Sequence, residues 1–199
     1  MDKKLQTNII IAVVTVVGAI IIFLMPRLTG EKKPPPFNGV KKEFYDDGKV
    51  RLAQTYTFGK LNGPAYEFYD TGELWSEYSY KNDKLDGPKR TFYKDGRLKS
   101  FQLYVNNLEE GVTKTFYPDG RPESATTYVN GLKHGPYELY SPLGWMQRKG
   151  QYVQNVLHGP QREFNAKGKL VAIEDYALGE LMSRDDLGDP DDDILERRM

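Results

Sequence analysis

The chain contains no cysteine and only two histidines, His134 and His158, among its 199 residues. The absence of cysteine excludes a disulfide, a thiol nucleophile and a lipid-modified cysteine anchor. It neither supports nor opposes an oxidising compartment. Each histidine directly precedes a Gly-Pro pair that is expected in a turn, so neither is expected to be the general base that activates a nucleophile. A glycine-rich phosphate-binding loop is also missing. The sequence therefore predicts no enzyme, no cofactor and no metal site.

The chain also lacks an excess of either charge. It carries 28 basic and 28 acidic side chains, with a net charge of +3 over residues 1–33 and −5 over residues 180–199. The +2 that remains for the middle of the chain gives no electrostatic reason for binding a phosphate backbone. A nucleic acid partner is therefore not expected.

What the chain does have is a repeat of 24 residues. Three columns of identical residues keep this step, which is the signature of a repeat architecture. The first column holds the glycines Gly48, Gly72, Gly96, Gly120, Gly144 and Gly168. The second holds Gly63, Gly87, Gly111, Gly135 and Gly159, and the third holds Tyr56, Tyr80, Tyr104, Tyr128, Tyr152 and Tyr176.

Each unit predicts two short antiparallel strands. Residues 49–56 alternate and are rich in β-formers, and the glycine of "FYDDG" suits a three-residue turn in which its φ is positive. With that turn, Phe44 faces Val50, and the corresponding pair of every later unit is also apolar. Counting along the strand places the Tyr56 column on the same face, as part of the core. One repeat adds roughly 10 Å, too much for His134 and His158 to share a metal ion.

A second aromatic column is predicted on the opposite face. This strip consists of Tyr69, Tyr93, Tyr117 and Trp145, one per unit, with Arg97 and Arg121 beside them. Tyrosine beside a long basic side chain can simply cover an exposed sheet, and we favour that interpretation. Aromatic residues and arginine also dominate binding hot spots, so the strip is at the same time a candidate contact surface for a partner.

The stretches "DGKVRLAQTYTFGKLNGPAYEFY" and "DGRPESATTYVNGLKHGPYELY" resemble the variant MORN repeat of bacteria. The resemblance covers residues 39–176 and implies a single elongated antiparallel sheet of stacked hairpins, used for binding or scaffolding. Some bacterial members of the family are antitoxins of toxin–antitoxin systems, and the better-known eukaryotic repeats are linked to membranes and phospholipids. The sequence departs from the pattern at Val112 and at "SPLGW", residues 141–145, where local irregularities or partner contacts are expected.

Residues 9–25, "IIIAVVTVVGAIIIFLM", form an uncharged run of 17 residues. As a helix the run would be about 26 Å long, within the usual range of a membrane span. No small-residue cleavage site follows it, and a repeat sheet gives a core helix nothing to pack into, so an uncleaved signal anchor is predicted. Basic residues flank both ends, but the short leading tail is expected to stay in the cytoplasm, which places the repeats outside.

The predicted fold class is an all-β repeat with one N-terminal transmembrane helix. The expected segments are a short tail over residues 1–8, the anchor over 9–25, a proline-rich linker over 26–38, the repeat array over 39–179 and an acidic tail over 180–199. The expected function is that of a non-catalytic, membrane-anchored module that binds a protein at a bacterial cell envelope. The alternatives are an antitoxin or immunity-like protein, and a module that binds a phospholipid surface or a polysaccharide.

The anchor predicts that the full-length chain stays with membranes through a high-salt or carbonate wash, because burial of an apolar span needs no ionic contact. Fractionation followed by immunoblotting measures this, with a chain deleted for residues 9–25 as the control that should be released. Release of the full-length chain, or a mature N-terminus beyond Met25, would show that the run is not an anchor.

Overall fold

The computed structural model describes residues 34–188. Within that range the chain forms one antiparallel sheet of 16 strands, and no described segment is a helix of the length and hydrophobicity that crossing a bilayer requires. The strands are β1 (Gly39–Phe44), β2 (Val50–Thr57), β3 (Lys60–Phe68), β4 (Leu74–Lys81), β5 (Lys84–Leu85), β6 (Gly87–Phe92), β7 (Leu98–Val105), β8 (Leu108–Glu109), β9 (Gly111–Phe116), β10 (Pro122–Val129), β11 (Leu132–Tyr140), β12 (Met146–Val153), β13 (Val156–Leu157), β14 (Gly159–Phe164), β15 (Leu170–Ala177) and β16 (Glu180–Asp186). The predicted anchor at residues 9–25 lies outside the described residues and stays a prediction.

The strands follow one another across the sheet in chain order. Thirteen of them form the continuous path, and β5, β8 and β13 each extend the pairing of the strand before them. With neighbouring strands about 4.8 Å apart, the described array spans roughly 55 Å. The predicted all-β antiparallel sheet of stacked hairpins is therefore confirmed.

At one rim of the sheet, here called the turn rim, each hairpin closes through a turn that ends in glycine. In the first turn the Gly48 amide donates to the Tyr45 carbonyl at 2.9 Å, and the Tyr45 amide donates to the Lys49 carbonyl at 2.8 Å. The same two bonds recur in all six described turns. The glycines have φ between 78° and 108°, as the three-residue turn predicts. The turn at residues 141–145 has the same two bonds as the others, so the prediction of a local irregularity there is wrong.

A one-residue bulge follows each of these turns. Phe44 pairs with Val50 as predicted, but Glu43 pairs with Leu52, which leaves Arg51 as an extra residue. The extra residue of the later units is Trp75, Lys99, Glu123, Gln147 and Val171. One extra residue reverses the alternation of side chains between the two faces. The prediction that the Tyr56 column shares the face of Val50 is therefore wrong, and these tyrosines lie on the opposite face.

At the other rim, here called the loop rim, the strands turn through two residues that both have positive φ. In the first loop Phe58 has a φ of 51° and Gly59 a φ of 77°. Two such residues form a type I′ turn, whose twist matches that of the flanking strands. Each loop is also bonded to the one before it, for example by the Asp83 amide, which donates to the Leu61 carbonyl at 2.9 Å. The loops therefore link consecutive repeats as well as closing hairpins.

The tyrosine column pairs with the second glycine column across neighbouring strands. The pairs are Tyr56–Gly39, Tyr80–Gly63, Tyr104–Gly87, Tyr128–Gly111, Tyr152–Gly135 and Tyr176–Gly159. An aromatic ring opposite glycine covers backbone that the glycine leaves bare. A side chain in place of Gly63 would be strained at its φ of +124°, and its Cβ would lie 3.1 Å from Thr55.

The face that carries these tyrosines, here called the tyrosine face, is the buried side of the sheet. The side chains of Tyr78 and Tyr80 point to it, since their rings meet at 5.6 Å and Tyr78 donates a hydrogen bond to Glu67. Ala65, Tyr137 and Gln161 also belong to this face by register and are at most 4% exposed. The other face, here called the open face, carries the Phe44 and Val50 columns.

The sheet continues beyond the predicted end of the array at residue 179. Strand β16 occupies residues that were expected to belong to the acidic tail, and it pairs with β15 along its length. Its arginine explains the extension, because Arg184 forms an ion pair with Glu174, a residue only 7% exposed. Arg148 reaches the same carboxylate at 3.3 Å. Two arginines thus satisfy a buried carboxylate and hold the last strand in place.

Replacing Gly96 by valine should lower the free energy of unfolding by about 1–3 kcal/mol, because a β-branched residue is strained at positive φ. The φ of Gly96 is +83°, and nothing lies within 4 Å of the position of an added Cβ, so the loss measures backbone strain and not a clash. Urea melts of Gly96→Val and of Gly96→Asn, which tolerates this conformation better, give the comparison. Equal stability of both variants and the parent would contradict the assigned turn.

Candidate functional site

The predicted aromatic strip is bonded to the backbone of the next repeat. The hydroxyl of Tyr69 donates to the Phe92 carbonyl at 2.8 Å, and that of Tyr93 donates to the Phe116 carbonyl at 2.7 Å. Tyr45 and Tyr117 make the same bond 23 residues onward, at 2.6 and 2.7 Å. These phenols therefore join successive hairpins at the turn rim.

The arginines of the strip make a parallel set of contacts. Arg97 donates from Nη1 to the Pro118 carbonyl at 2.7 Å, and Arg121 donates from Nη1 to the Pro142 carbonyl at 2.9 Å. Lys49 reaches the Asp70 carbonyl in the same way, at 2.9 Å. The cations that were candidates for partner contact thus cap the carbonyls of the following turn.

The strip and the tyrosine column share a face of the sheet. Side chains alternate along a strand, so Tyr69 points away from the face of Phe68, which is the open face. The ring of Tyr69 lies 6.4 Å from that of Trp75, the bulge residue of its own unit. Since the bulge also moved the Tyr80 column to this side, the predicted separation of strip and core onto opposite faces is wrong. In the fifth unit the tyrosine is replaced by Ser141, which is buried, and Trp145 is half-buried.

The pKa values of tyrosines on the tyrosine face are raised mainly by burial, and not by a catalytic arrangement of charges. Burial raises the pKa of Tyr137 to about 12, and its ring packs against Tyr152 at 4.9 Å. Burial and the hydrogen bond to Glu67 also raise the pKa of Tyr78. Between residues 34 and 188 no group of three or more His, Cys, Asp or Glu side chains is placed to hold a metal ion. The described shifts therefore point to packing.

The open face carries a group of exposed aliphatic residues that the sequence analysis did not predict as a surface. They flank the two-residue loops of three consecutive hairpins, and we call them the loop-rim patch: Val105, Leu108, Val129, Leu132, Val153 and Val156. Val105 and Leu108 are each 45% exposed, and Leu132 is 40% exposed. Contact between loops makes the patch continuous, since the Gly131 amide donates to the Glu109 carbonyl at 2.8 Å.

A sequence signal for this patch exists. The stretches "YVNNLE", "YVNGLK" and "YVQNVL" each place two aliphatic residues around a central pair rich in asparagine. Asn-Gly and related pairs favour a type I′ turn, in which the two flanking residues face each other on one side of the sheet. Recognising that turn would have paired Val129 with Leu132. Lysines lie on one side of the patch, at Lys81 and Lys84, and Glu180 lies on the other.

Four segments of the chain match the model of the family described as "MORN repeat variant": residues 37–57, 61–82, 109–130 and 133–154. This chain is a variant MORN-repeat protein. The resemblance drawn from the sequence is confirmed, and the segments between and after the matches form the same hairpins in the structure. One matched MORN repeat contains Val112, and another contains the "SPLGW" turn.

No curated protein matches the chain. Among solved structures, a crystal structure of the GtfA/B complex bound to UDP and GlcNAc aligns with 71% of this chain and 24% of that one, at 16% identity and a TM-score of 0.23. The MORN-repeat chain therefore spans about a quarter of that protein's length. At this identity and TM-score the alignment supports no conclusion about fold or function.

Removing the hydroxyls of the strip should destabilise the MORN array. Tyr93→Phe and Tyr117→Phe each keep the ring but leave a backbone carbonyl without its donor, and each should lower the free energy of unfolding by about 1 kcal/mol. Chemical denaturation measures the loss, and Tyr66→Phe is a control because Tyr66 is exposed on the open face. Unchanged stability of both strip variants would mean that these bonds do not join the repeats in solution.

Proposed function

We propose that this protein is a non-catalytic scaffold that binds a protein partner on the open face of its MORN repeats. One observation carries the proposal. Five of the six side chains of the loop-rim patch are between 39% and 45% exposed, and they come from three consecutive hairpins. Contiguous exposed aliphatic surface of this kind marks interaction sites on soluble domains.

The other surfaces of the sheet favour the same choice. On the tyrosine face the aromatic rings cover glycine backbone and one another, and the polar atoms of the strip are engaged with the next turn. The open face instead presents aliphatic side chains beside Lys84 and Arg90, both exposed. An apolar centre with a charged rim is the usual anatomy of a protein–protein contact.

Membrane attachment belongs to the same proposal. The uncharged run over residues 9–25 supports an anchor, and the proline-rich segment after it supports a stiff spacer between the anchor and the first strand. In that arrangement the scaffold would hold its partner at the surface of a bacterial membrane. The antitoxin, phospholipid and polysaccharide alternatives have no comparable feature among the described residues.

Leu132→Glu should abolish partner capture, because it places a charge at the centre of the loop-rim patch. The full-length chain is used as bait on mildly solubilised membranes, and bound protein is quantified for parent and variant. Leu143→Glu is the matched control, since Leu143 is 78% exposed at the turn rim and lies outside the patch. We expect at least a tenfold loss for Leu132→Glu.

The control should bind like the parent, and thermal melting should be unchanged for both variants because both side chains are exposed. Capture that survives Leu132→Glu in a folded protein would show that the patch is not the binding surface. Equal loss in both variants would point to a general effect of added charge.

A further inference from the structure

The loop-rim patch is complementary to itself, and we propose that it binds a second copy of this chain. In the inferred dimer the two open faces meet at their loop rims, with the repeats of one copy running in the reverse order of the other. This inference names the partner of the proposed binding scaffold and therefore rests on that proposal. A two-fold axis parallel to the strands produces such a pairing, in which the same patch is used by both copies.

The apolar residues match across this axis. When it passes through Leu132 on β11, Leu132 meets Leu132 of the other copy, and Val129 on β10 lies opposite Val153 on β12. Leu108 and Val156, one repeat away on either side of Leu132, also lie opposite each other. Leu108 and Val156 are 45% and 39% exposed, respectively, so both have apolar surface to bury. Aliphatic residues of one copy thus face aliphatic residues of the other across the axis.

The charges at the ends of the patch match as well. Lys84 and Glu180 occupy the same column as Leu132, and each lies 48 residues, or two repeats, from it in opposite directions. Reversing the repeat order therefore brings Lys84 of each copy opposite Glu180 of the other. Both residues are exposed, and neither forms an ion pair with another residue of the described part of the chain. A two-fold symmetric contact requires opposite charges at equal distances from the axis, whereas a partner of different structure does not.

The next row of the open face limits the size of the contact. Five consecutive strands carry a row of side chains that includes Lys114 on β9, Glu138 on β11 and Arg162 on β14. The axis through Leu132 would place Glu138 opposite Glu138 of the other copy and Lys114 opposite Arg162, and these like charges oppose close packing of the full sheets. Contact is therefore confined to the loop rims. An interface below about 1,200 Å² is typical of weak association, so we expect a dissociation constant in the micromolar range.

Sedimentation equilibrium of the full-length chain in mild detergent tests the dimer through charge reversal. Lys84→Glu and Glu180→Lys should each weaken dimerisation about tenfold, because each creates two pairs of like charges. Combining them should restore the dissociation constant to within about threefold of the parent, since the pairs are then reversed but complementary. Leu132→Glu should weaken dimerisation by about 100-fold or more, because two carboxylates meet on the axis.

Lys60→Glu is the matched control. Lys60 occupies the same column one repeat before Lys84, and the position opposite it across the axis lies one repeat beyond Glu180, past β16, the last strand of the described residues. It should leave the dissociation constant unchanged. A parent that stays monomeric up to about 1 mM, or a double variant no better than the single ones, would overturn the two-fold dimer. If a monomeric parent still captures a membrane protein and Leu132→Glu does not, the binding scaffold stands and only the self-association fails.

Discussion

The pairing of a tyrosine with a glycine across neighbouring strands is the contact on which the sheet depends. A single-layered sheet has no second layer to cover its buried face, so its own side chains must do so. Tyr80, for example, lies opposite Gly63 and beside Tyr78. The glycine supplies both the positive φ and the space beside Thr55 that the strand needs at this point. Because the pair recurs in every repeat, the same cover extends along the whole described array.

The two rims join the repeats through different chemistry. At the turn rim, side chains reach forward to the backbone of the next unit, as Tyr93 and Arg97 do. At the loop rim the backbone itself makes the connection, and an asparagine or aspartate side chain adds a second bond, as Asp83 does with the Leu61 amide at 2.7 Å. Each repeat therefore contacts mainly its neighbours, and stability follows from a sum of similar interfaces.

The one-residue bulge decides which side chains lie on the tyrosine face and which lie on the open face. Without the extra residue at Arg51 and its equivalents, the phenylalanine and tyrosine columns would lie on one face. With it, the tyrosine column lies on the tyrosine face, while the open face carries the phenylalanine column and keeps aliphatic residues such as Leu132 accessible. The repeat thus combines a face covered by its own tyrosine rings with a face on which the aliphatic side chains of the loop-rim patch stay exposed.

The 24-residue period, the all-β class and the Phe44–Val50 pairing followed from the sequence alone, because a turn that needs positive φ recurs as glycine at a constant spacing. The variant MORN family could be recognised from the same columns. The faces of the side chains were decided only by the tertiary structure. A bulge such as that at Arg51 has no marker residue, since arginine, tryptophan, lysine, glutamate, glutamine and valine all occupy it. Its position depends on hydrogen bonds to a neighbouring strand, and those exist only once the strands have paired.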